Sequence, residues 1–461
     1  MSKDMRTWIQ QLRDAGELLE ISKSVNPLTE MGALLWQSKQ KALLFKNLEG
    51  YPGWTSLGNG PANLRHCAVA FETDLEGLIP TVSERMKRRI APQTVETGPV
   101  KEVIYKGEDV DLTRIPVHIN GIKDGGPFIA SGLCITKDPD SGIRNMSFHR
   151  LQVKGRNKTG ILLVPRHTSI NMQKYEEKNQ PMPIAIIIGH HPLYYMAAAT
   201  TGPYEMDELE VAGGLLGEAV KMVKCETIDI EVPYDAEIVL EGHVLPGYRE
   251  EEGPFSEFQD YYIAGTGKNP VIEISAITMR KDAIFKNLQN GSETEGCMFH
   301  KVPMGAALYD RVRSVGGFTN VKNVIVLPGI FGVAIQMTPR FHGEAKNVLL
   351  AALSGEYLHP KVVMAVDDDV NIYNEWELLW SLTTRVNPEE DMVVIPGTRI
   401  HPMDPTGKEL VPPGTPGWHR VGGKVIIDAT KPPICAPEAR EEFERILPVG
   451  HGKVRLEDFL E

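Results

Sequence analysis

The sequence predicts a mixed α/β protein built from three domains, and three observations lead to this prediction. The chain has 461 residues, more than one compact core holds at roughly 150 residues per domain. Helical and strand-like segments alternate at both ends of the chain. Strands separated by Gly and Pro turns dominate the middle. We therefore expect an N-terminal α/β domain over residues 1–114, a barrel-like domain over 115–303 and a C-terminal α/β domain over 304–461.

The first domain is predicted from a short helix followed by strands. Trp8, Leu12 and Ala15 recur at helical spacing, and the pattern stops near Gly16. Apolar segments at 18–21 and 42–45 then have the length and composition of strands.

The middle domain shows strand patterns interrupted by one clear helix. The helix begins at Asp207 and Glu208, whose carboxylates suit the positive end of the helix dipole. The strand patterns lie at 161–164, 184–188, 228–232, 237–240 and 271–277. A strand-rich block with a single inserted helix indicates a barrel.

The last domain returns to alternating helices and strands. Helices are predicted around 306–315 and 345–353, and strands at 324–327 and 361–366. Continuous Val and Ile runs are typical of strands that are buried on both faces. The Pro- and Gly-rich segment from Pro402 to Pro437 is predicted to be an ordered loop or arm.

Charge and cysteine content exclude several classes of protein. Lys and Arg number 49 against 61 Asp and Glu, a net charge of −12 that repels phosphate backbones and anionic lipid. We therefore expect no nucleic-acid and no membrane partner. The five cysteines are scattered without a CxxC pair, which favours free thiols in a reducing compartment. The N-terminus lacks the apolar core of a signal peptide, so a soluble, cytoplasmic protein is expected.

One dispersed set of polar residues suits a metal ion. The sequence lacks GxGxxG after a strand, the P-loop spacing, HExxH and GxSxG. Asn145, His167 and Glu208 offer the oxygen and imidazole ligands that Mn²⁺ or Mg²⁺ takes when a phosphate completes the shell. Alternatively, they are a turn Asn, a surface His and a residue at a helix start.

A second set lies in an acidic segment. Glu252 and Glu257 are five residues apart across a Gly-Pro turn, so both carboxylates are able to face one pocket. Carboxylates packed near an Arg acquire divergent pKa values, which general acid–base catalysis requires. The alternative is a solvated acidic loop.

The ordered set of motifs resembles the UbiD family of prenylated-flavin-dependent decarboxylases. Asn-x-x-x-x-Arg at 145–150, Pro-x-His at 165–167, Glu208 at a helix start and Glu-Gly-Pro-Phe-x-Glu at 252–257 follow the family order. Further similar segments lie at 236–242, 366–370, 380–385 and 426–430, so the resemblance covers nearly the whole chain. It implies an N-terminal α/β domain, a central split β-barrel that binds the flavin, and a C-terminal α/β domain that mediates dimerisation.

The resemblance also implies the cofactors and their ligands. These are prenylated FMN supplied by a separate flavin prenyltransferase, Mn²⁺ or Mg²⁺ on the phosphate, and K⁺ nearby. Asn145, His167 and Glu208 resemble the divalent ligands, and Met146, Ala197, Ala198, Thr200 and Glu208 the K⁺ site. The cofactor-binding positions are Asn145, Phe148, His149, Arg150, Leu162, Leu163, Val164, Arg166, His167 and Lys361.

Arg150, Glu252 and Glu257 match the catalytic triad of the family. The resemblance implies reversible, non-oxidative decarboxylation of an aromatic, heteroaromatic or α,β-unsaturated acid by covalent catalysis on the flavin, with Glu257 as proton donor. The partners would be the acid, CO₂ and the prenyltransferase, in a homodimer or higher homo-oligomer.

The substrate pocket is expected near residues 295–301. Phe258, Cys297, His300 and Lys301 are the candidate lining residues. His300 and Lys301 favour a hydroxylated aromatic acid or a furan or pyrrole acid, unless they only flank a surface helix.

Two other functions remain open at this point. Asn145, His167 and Glu208 would also suit a metal-dependent hydrolase that activates a water. The other alternative is a non-catalytic cofactor-binding subunit, against which the intact Glu–Arg–Glu set argues.

Overall fold

The computed structural model describes residues 3–291, 293, 295–317, 319–412 and 418–460. Its N-terminal region places four helices beside a small sheet. The elements are α1 (Met5–Asp14), β1 (Leu18–Ile21), α2 (Met31–Gln37), β2 (Ala42–Phe45), β3 (Thr55–Gly58), α3 (Leu64–Phe71), α4 (Leu75–Met86) and β4 (Gln93–Thr94). The predicted first helix and both predicted strands are confirmed. Trp8 and Leu12 of α1 are fully buried, as their helical spacing predicts.

The central region contains the largest sheet. Its elements are β5 (Val103–Lys106), β6 (Phe128–Ile129), β7 (Leu133–Lys137), β8 (Arg144–Phe148), β9 (Leu151–Val153), β10 (Lys158–Ile161), α5 (His167–Glu177), β11 (Met182–Ile188), α6 (Pro192–Ala198), α7 (Glu208–Leu216), β12 (Lys221–Lys224), β13 (Glu231–Pro233), β14 (Ile238–Glu252), β15 (Gly267–Met279) and β16 (Ile284–Lys286).

The central sheet is a curled half-barrel, which confirms the predicted fold class. Eight of its nine strands follow the order β6-β9-β10-β15-β14-β11-β7-β8, and the ninth, β5, pairs with β15. The pairs along this order are antiparallel, and the long β14–β15 pair has register shifts at 241/242 and 244/249. Such irregularities bend a strand and increase its twist, so the sheet curls around its own Ile- and Leu-rich core.

Three strand pairings join the first two regions, and one of them is the parallel pair of β4 with β12. β5 lies before the predicted boundary at 114/115 but pairs with β15 of the central sheet. β16 pairs in parallel with β3 of the N-terminal sheet. The predicted domain boundaries remain a prediction, but these pairings tie the two regions together.

The C-terminal region is a second α/β layer. Its elements are α8 (Glu295–Arg313), β17 (Val321–Val326), β18 (Gly332–Met337), α9 (Glu344–Leu353), β19 (Val362–Val366), α10 (Glu375–Arg385), α11 (Pro388–Asp391), β20 (Met392–Ile400), β21 (Lys408–Val411), β22 (His419–Ala429) and α12 (Pro437–Glu441). The sheet order is β17-β18-β19-β22-β20, with β21 paired to β22.

Two predictions for this region were wrong. The segment from Pro402 to Pro437 is not only a loop, because its residues 419–429 form β22 between β19 and β20; part of the predicted loop, 413–417, lies outside the described residues. Hydrogen bonding to β19 on one side and β20 on the other stabilises β22 as a strand despite its glycines. The helix predicted from Ala306 begins at Glu295 and continues through Pro303, because its buried face packs against β17 and α4.

None of the helices in the described ranges is both long and apolar enough to cross a membrane.

Candidate active site

A cavity of about 300 Å³ lies between the central sheet, helix α8 and the C-terminal region. Its walls come from the segments around β8, the start of α5, the end of α6, the β14–β15 connection and the start of α8. Residues from the C-terminal region complete it on one side. The cavity therefore gathers residues that are far apart in the sequence.

Arg150 forms the centre of a buried ionic cluster. Its Nε and Nη2 donate to the two carboxylate oxygens of Glu252 at 2.9 and 2.8 Å. Its Nη1 donates to Glu257. The three residues are 9%, 0% and 7% exposed. A two-point contact of this kind fixes the plane of the guanidinium, so Arg150 is oriented by Glu252 and approached from another side by Glu257.

Local backbone geometry brings both carboxylates to Arg150. Glu252 is the last residue of β14, and Gly253 follows with a φ of +93°. A Cβ at position 253 would lie 2.3 Å from the carbonyl oxygen of Gly265, so only glycine fits this turn. Asn269 on β15 donates a further hydrogen bond from its Nδ2 to the carboxylate of Glu252 at 2.9 Å.

The two carboxylates have different environments. Burial raises the pKa of Glu257 to about 7, although Arg150 attracts its ionised form. Burial alone would lower the pKa of Arg150, but Glu257 and Glu252 together raise it. Arg150 therefore stays charged, while Glu257 is able to hold or release a proton near neutral pH. Glu257 and Arg150 line the cavity, and Glu252 lies behind Arg150.

The three predicted metal ligands also line the cavity. Asn145 lies on β8, and His167 and Glu208 are the first residues of α5 and α7. Both hydrogen bonds of the Asn145 side chain use its amide nitrogen, which contacts Ser147 and Thr168 at 3.0 and 3.2 Å. Its oxygen is thus left for a ligand role.

The surroundings of the Glu208 carboxyl group suit the binding of a cation. It is 3% exposed and accepts the backbone N–H of Met146 at 2.8 Å. Within the described ranges, no cationic side chain lies in salt-bridge distance of it. Burial raises its pKa to about 8, and burial lowers the pKa of His167. An oxygen and imidazole donor set with an uncompensated carboxylate fits a divalent cation.

The predicted K⁺ positions are only partly brought together. Ala198, Thr200 and Glu208 line the cavity, whereas Met146 and Ala197 lie behind its wall. The carbonyl of Ala197 already accepts the N–H of Thr200 at 3.1 Å.

The predicted flavin positions form one wall. Phe148, His149, Leu162, Val164 and Arg166 line the cavity, while Leu163 packs instead against the core of the half-barrel. Burial lowers the pKa of His149 to about 4, which keeps the ring neutral, and its Nδ1 lies 3.2 Å from the Leu162 carbonyl oxygen.

Arg166 gives this wall an uncompensated positive charge. Burial and the nearby Arg399 lower its pKa. Among the residues that the structure describes, no carboxylate lies in salt-bridge distance of its guanidinium. Arg166 and the divalent donor set therefore suit a ligand that carries phosphate.

Lys361 lies outside the cavity wall. Its Nζ forms an ion pair with Asp404 at 2.9 Å and contacts Thr406 Oγ1 at 3.1 Å. The structure places it against Phe331, with its charge satisfied within the C-terminal region.

The predicted substrate residues separate into two groups. Phe258 and His300 line the cavity. Cys297 is fully buried, with its Sγ 3.3 Å from the Phe258 carbonyl oxygen. Lys301 faces another groove, between α8, β17 and residues 368–378, because consecutive helix residues point about 100° apart. Lys301 thus does not contribute to this cavity, and α8 is a buried helix rather than a surface one.

Sequence reasoning missed the part of the cavity that comes from the C-terminal region. His359, His401 and Met403 line it, and Phe331 packs against both histidines. Each histidine is followed directly by a proline. His359 lies before strand β19 and His401 lies after strand β20, and neither context contains a distinctive motif. Only the packing of the C-terminal region against the half-barrel reveals them.

One further acidic group is explained by ion pairs. Asp367, Asp368 and Asp369 lie close enough to share a cation. However, Asp367 pairs with Arg440 at 2.6 Å, and Asp369 pairs with Arg385 at 2.7 Å. These contacts tie α12 and α10 to the end of β19 and account for the cluster.

Family models match most of the chain. The N-terminal domain of 3-octaprenyl-4-hydroxybenzoate carboxy-lyase matches residues 9–86, its Rift-related domain 93–293 and its C-terminal domain 297–429. These family models carry the name UbiD.

Curated relatives match over nearly their full length. Anhydromevalonate phosphate decarboxylase of Methanothermobacter thermautotrophicus is 34% identical over 448 residues, with 96% of this chain and 99% of the relative covered. Phenolic acid decarboxylase of Bacillus subtilis is 31% identical over 465 residues, with 96% and 95% covered.

A solved structure shares the fold. The UbiD-class enzyme HmfF from Pelotomaculum thermopropionicum, in complex with FMN, has a TM-score of 0.91 at 34% identity, covering 99% of this chain and all of its own. An evolved dimeric form of HmfF was solved with prenylated FMN and has a TM-score of 0.87 at 33% identity, with 100% of each chain covered.

Proposed function

Because the chain belongs to the UbiD family of carboxy-lyases, we propose that it decarboxylates an aromatic or heteroaromatic acid, reversibly, with prenylated FMN. An α,β-unsaturated acid is the other substrate type. One observation carries the proposal: Glu257, with a pKa raised to about 7, lines the same cavity as Arg150 and the metal donor set. A protonatable acid beside a fixed cation is what loss of CO₂ followed by protonation needs.

The residues of the proposed cofactor site offer ligand atoms or a charge to a bound group. Asn145, His167 and Glu208 would hold Mn²⁺ or Mg²⁺ on the phosphate, and Arg166 would add a charged contact. Of the proposed K⁺ positions, Ala198, Thr200 and Glu208 line the cavity wall. Phe148 would pack against the ring system, since it lines the cavity beside Tyr195 and Phe299. The chemistry supplied by prenylated FMN is an electron sink for the pair released when CO₂ leaves.

The chain's own residues would orient the acid and move the proton. Arg150, held by both oxygens of Glu252, positions the reacting carboxylate or the flavin. Glu257 then protonates the carbon that loses CO₂. Phe255 lies with its ring centroid 5.4 Å from the guanidinium and excludes water from that side.

Assembly belongs to the same proposal. The C-terminal region exposes apolar residues on α10 and β20, among them Trp376, Leu379 and Val394 at 65%, 62% and 69% exposure. Such a patch suits self-association. We assign it to a homodimer or higher homo-oligomer.

The deciding experiment compares protein produced with and without a flavin prenyltransferase. We expect a prenylated-flavin absorption spectrum and CO₂ release from aromatic acids only after co-production. Protein that lacks flavin but is fully active with Mn²⁺ alone would contradict the proposal. It would favour a hydrolase that uses Asn145, His167 and Glu208. Bound flavin without CO₂ release from any acid would favour a non-catalytic subunit.

A further inference from the structure

The loop of residues 120–126 packs directly against the turn of residues 253–257, which ends at Glu257. The two backbones touch, because a Cβ at Gly125 would lie 2.3 Å from the carbonyl oxygen of Gly253. The N–H of Gly125 donates to the carbonyl oxygen of Pro254 at 2.9 Å. Only glycine permits so close an approach, so the loop and the turn form one packed unit.

The side chain of Gln152, on β9, joins the same two segments. Its Nε2 donates to the carbonyl oxygen of Gly125 at 2.7 Å, and its Oε1 accepts the N–H of Gly253 at 3.1 Å. The residue is 7% exposed. Both polar ends of the amide are satisfied by backbone groups, which fixes its orientation and keeps the loop on the turn.

Asp124 is the charged residue of this contact. Its Oδ1 accepts the N–H of Ser256, the residue directly before Glu257, at 2.8 Å. Its Oδ2 accepts the N–H of Gly121 at 3.0 Å and lies 3.4 Å from the Ser256 Oγ. Asp124 only accepts in these contacts, as an ionised carboxylate does. A negative charge is therefore held at the backbone next to the proposed acid.

Three charged groups act most strongly on the Glu257 carboxyl. Arg150 favours its ionised form, whereas Glu252 and Asp124 favour its protonated form. The charge of Glu252 is already paired with Arg150 through two hydrogen bonds. Burial raises the pKa of Asp124, and the N–H groups around it, not a cation, stabilise its ionised form. Asp124 is therefore the anion whose field at Glu257 is not cancelled by a salt bridge.

The other titratable groups around the turn are exposed or neutral. Asp260, further along the same loop, and Lys123, over the ring of Tyr262, are exposed, so solvent screens their charges. Burial raises the pKa of the Cys297 thiol to about 12. Burial also lowers the pKa values of the cavity histidines, which are His300, His359 and His401.

We infer that Asp124 is a positioning residue for Glu257: it anchors the 253–257 turn through Ser256 and so keeps the acid beside Arg150. Its fixed charge also makes the ionised form of Glu257 less favourable and extends protonation of the acid toward neutral pH. The inference rests on the proposed function, in which Glu257 delivers the proton. Asp124 acts through Glu257, since it does not itself line the cavity.

The test measures the pH dependence of kcat in the holoenzyme, with an aromatic acid that the wild-type enzyme converts. Asp124→Asn keeps an oxygen for the Ser256 N–H but removes the charge. It should leave kcat at acidic pH within about twofold and lower kcat above pH 7 by roughly three- to tenfold, because the descending limb moves to lower pH. Asp124→Ala also removes the anchor and should lower kcat at every pH by roughly tenfold or more, with a smaller change in KM.

A second readout does not require turnover. In FMN-loaded protein, the infrared C=O band of protonated Glu257, assigned by its loss in Glu257→Gln, is followed as a function of pH. The band should disappear at lower pH in Asp124→Asn than in the wild-type protein. Asp109→Asn, at an exposed position outside the cavity wall, is the matched control and should titrate like the wild-type protein. Flavin occupancy should stay at the wild-type level in both Asp124 variants.

An infrared titration of Asp124→Asn that coincides with wild type would overturn the inference. A loss of kcat in Asp124→Ala that parallels a loss of bound flavin would overturn it as well, since the residue would then support the cofactor site. A shifted titration in Asp124→Asn, without CO₂ release from any aromatic acid in the wild-type holoenzyme, would uphold the action of Asp124 on Glu257 and count against the proposed function.

Discussion

Glu257 is the residue on which the proposed chemistry most depends. It lies in hydrogen-bond contact with Arg150 and is 7% exposed, so bulk water has little access to its carboxyl group. Glu257→Gln should retain metal and flavin yet lose turnover by roughly 10²-fold or more, the usual scale for a general acid. Hydrogen exchange of the product with D₂O, measured by NMR, should stop. Exchange at the wild-type rate would assign the proton to Glu252 or to a water.

The same carboxyl predicts the direction of the pH dependence. Its pKa is raised from 4.5 to about 7 by burial, so the protonated donor predominates below that pH and is lost as pH rises through it. The rate of decarboxylation should therefore decrease as the pH rises above about 7. The Glu257→Gln variant should lack this descending limb. A limb that persists unchanged would belong to another group.

Glu208 carries a separate prediction about cofactor retention. Its carboxyl group is buried, accepts the Met146 N–H and has no cationic side chain within salt-bridge distance among the described residues, so a bound cation would stabilise its ionised form. Glu208→Gln should lower metal and flavin occupancy, measured by metal analysis and absorbance, with little change in the melting temperature. Wild-type flavin occupancy in this variant would remove Glu208 from the site.

At the scale of elements, helix α8 joins the N-terminal region to the cavity. Its first residue, Glu295, pairs with Lys286 at 2.5 Å and accepts the N–H groups of Asn59 and Gly60 at 3.1 Å each. One turn later His300 faces the cavity, while Lys301 faces the other groove. The helix therefore fixes which of two adjacent residues meets the substrate.

This arrangement predicts different outcomes for neighbouring substitutions. His300→Asn should change the ranking of substrates by kcat/KM more than it changes flavin binding, because a contact with part of the substrate discriminates among acids. Lys301→Met is the matched control and should preserve the ranking. A ranking altered by Lys301→Met alone would mean that the other groove takes part in substrate binding.

At the scale of the whole molecule, the exposed apolar surface of the C-terminal region predicts the assembly. Trp376→Glu combined with Val394→Glu introduces two charges into the patch and should shift the mass measured by light scattering toward the monomer. Ile122→Glu, at a fully exposed position elsewhere, is the control. A wild-type mass in the double variant would place the interface on another surface.

The sequence by itself determined the fold class, the family and the order of the polar residues. Local pattern is sufficient for these: α1, β1, β2 and α9 follow from apolar spacing, and the paired acids around Gly253 follow from a short motif. The sequence pattern did not predict β22 or the start of α8, because strand pairing and helix burial depend on partners that are distant in the chain.

The tertiary structure alone decided which of these residues meet. Arg150 and Glu257 are 107 positions apart and become neighbours only because the half-barrel curls. It also brought His359 and His401 to the cavity and turned Lys301 and Lys361 away from it. A single histidine or lysine has the same local sequence signature in a core, on a surface or in a site. Its role is therefore fixed by long-range packing, which residue order does not encode in any local pattern.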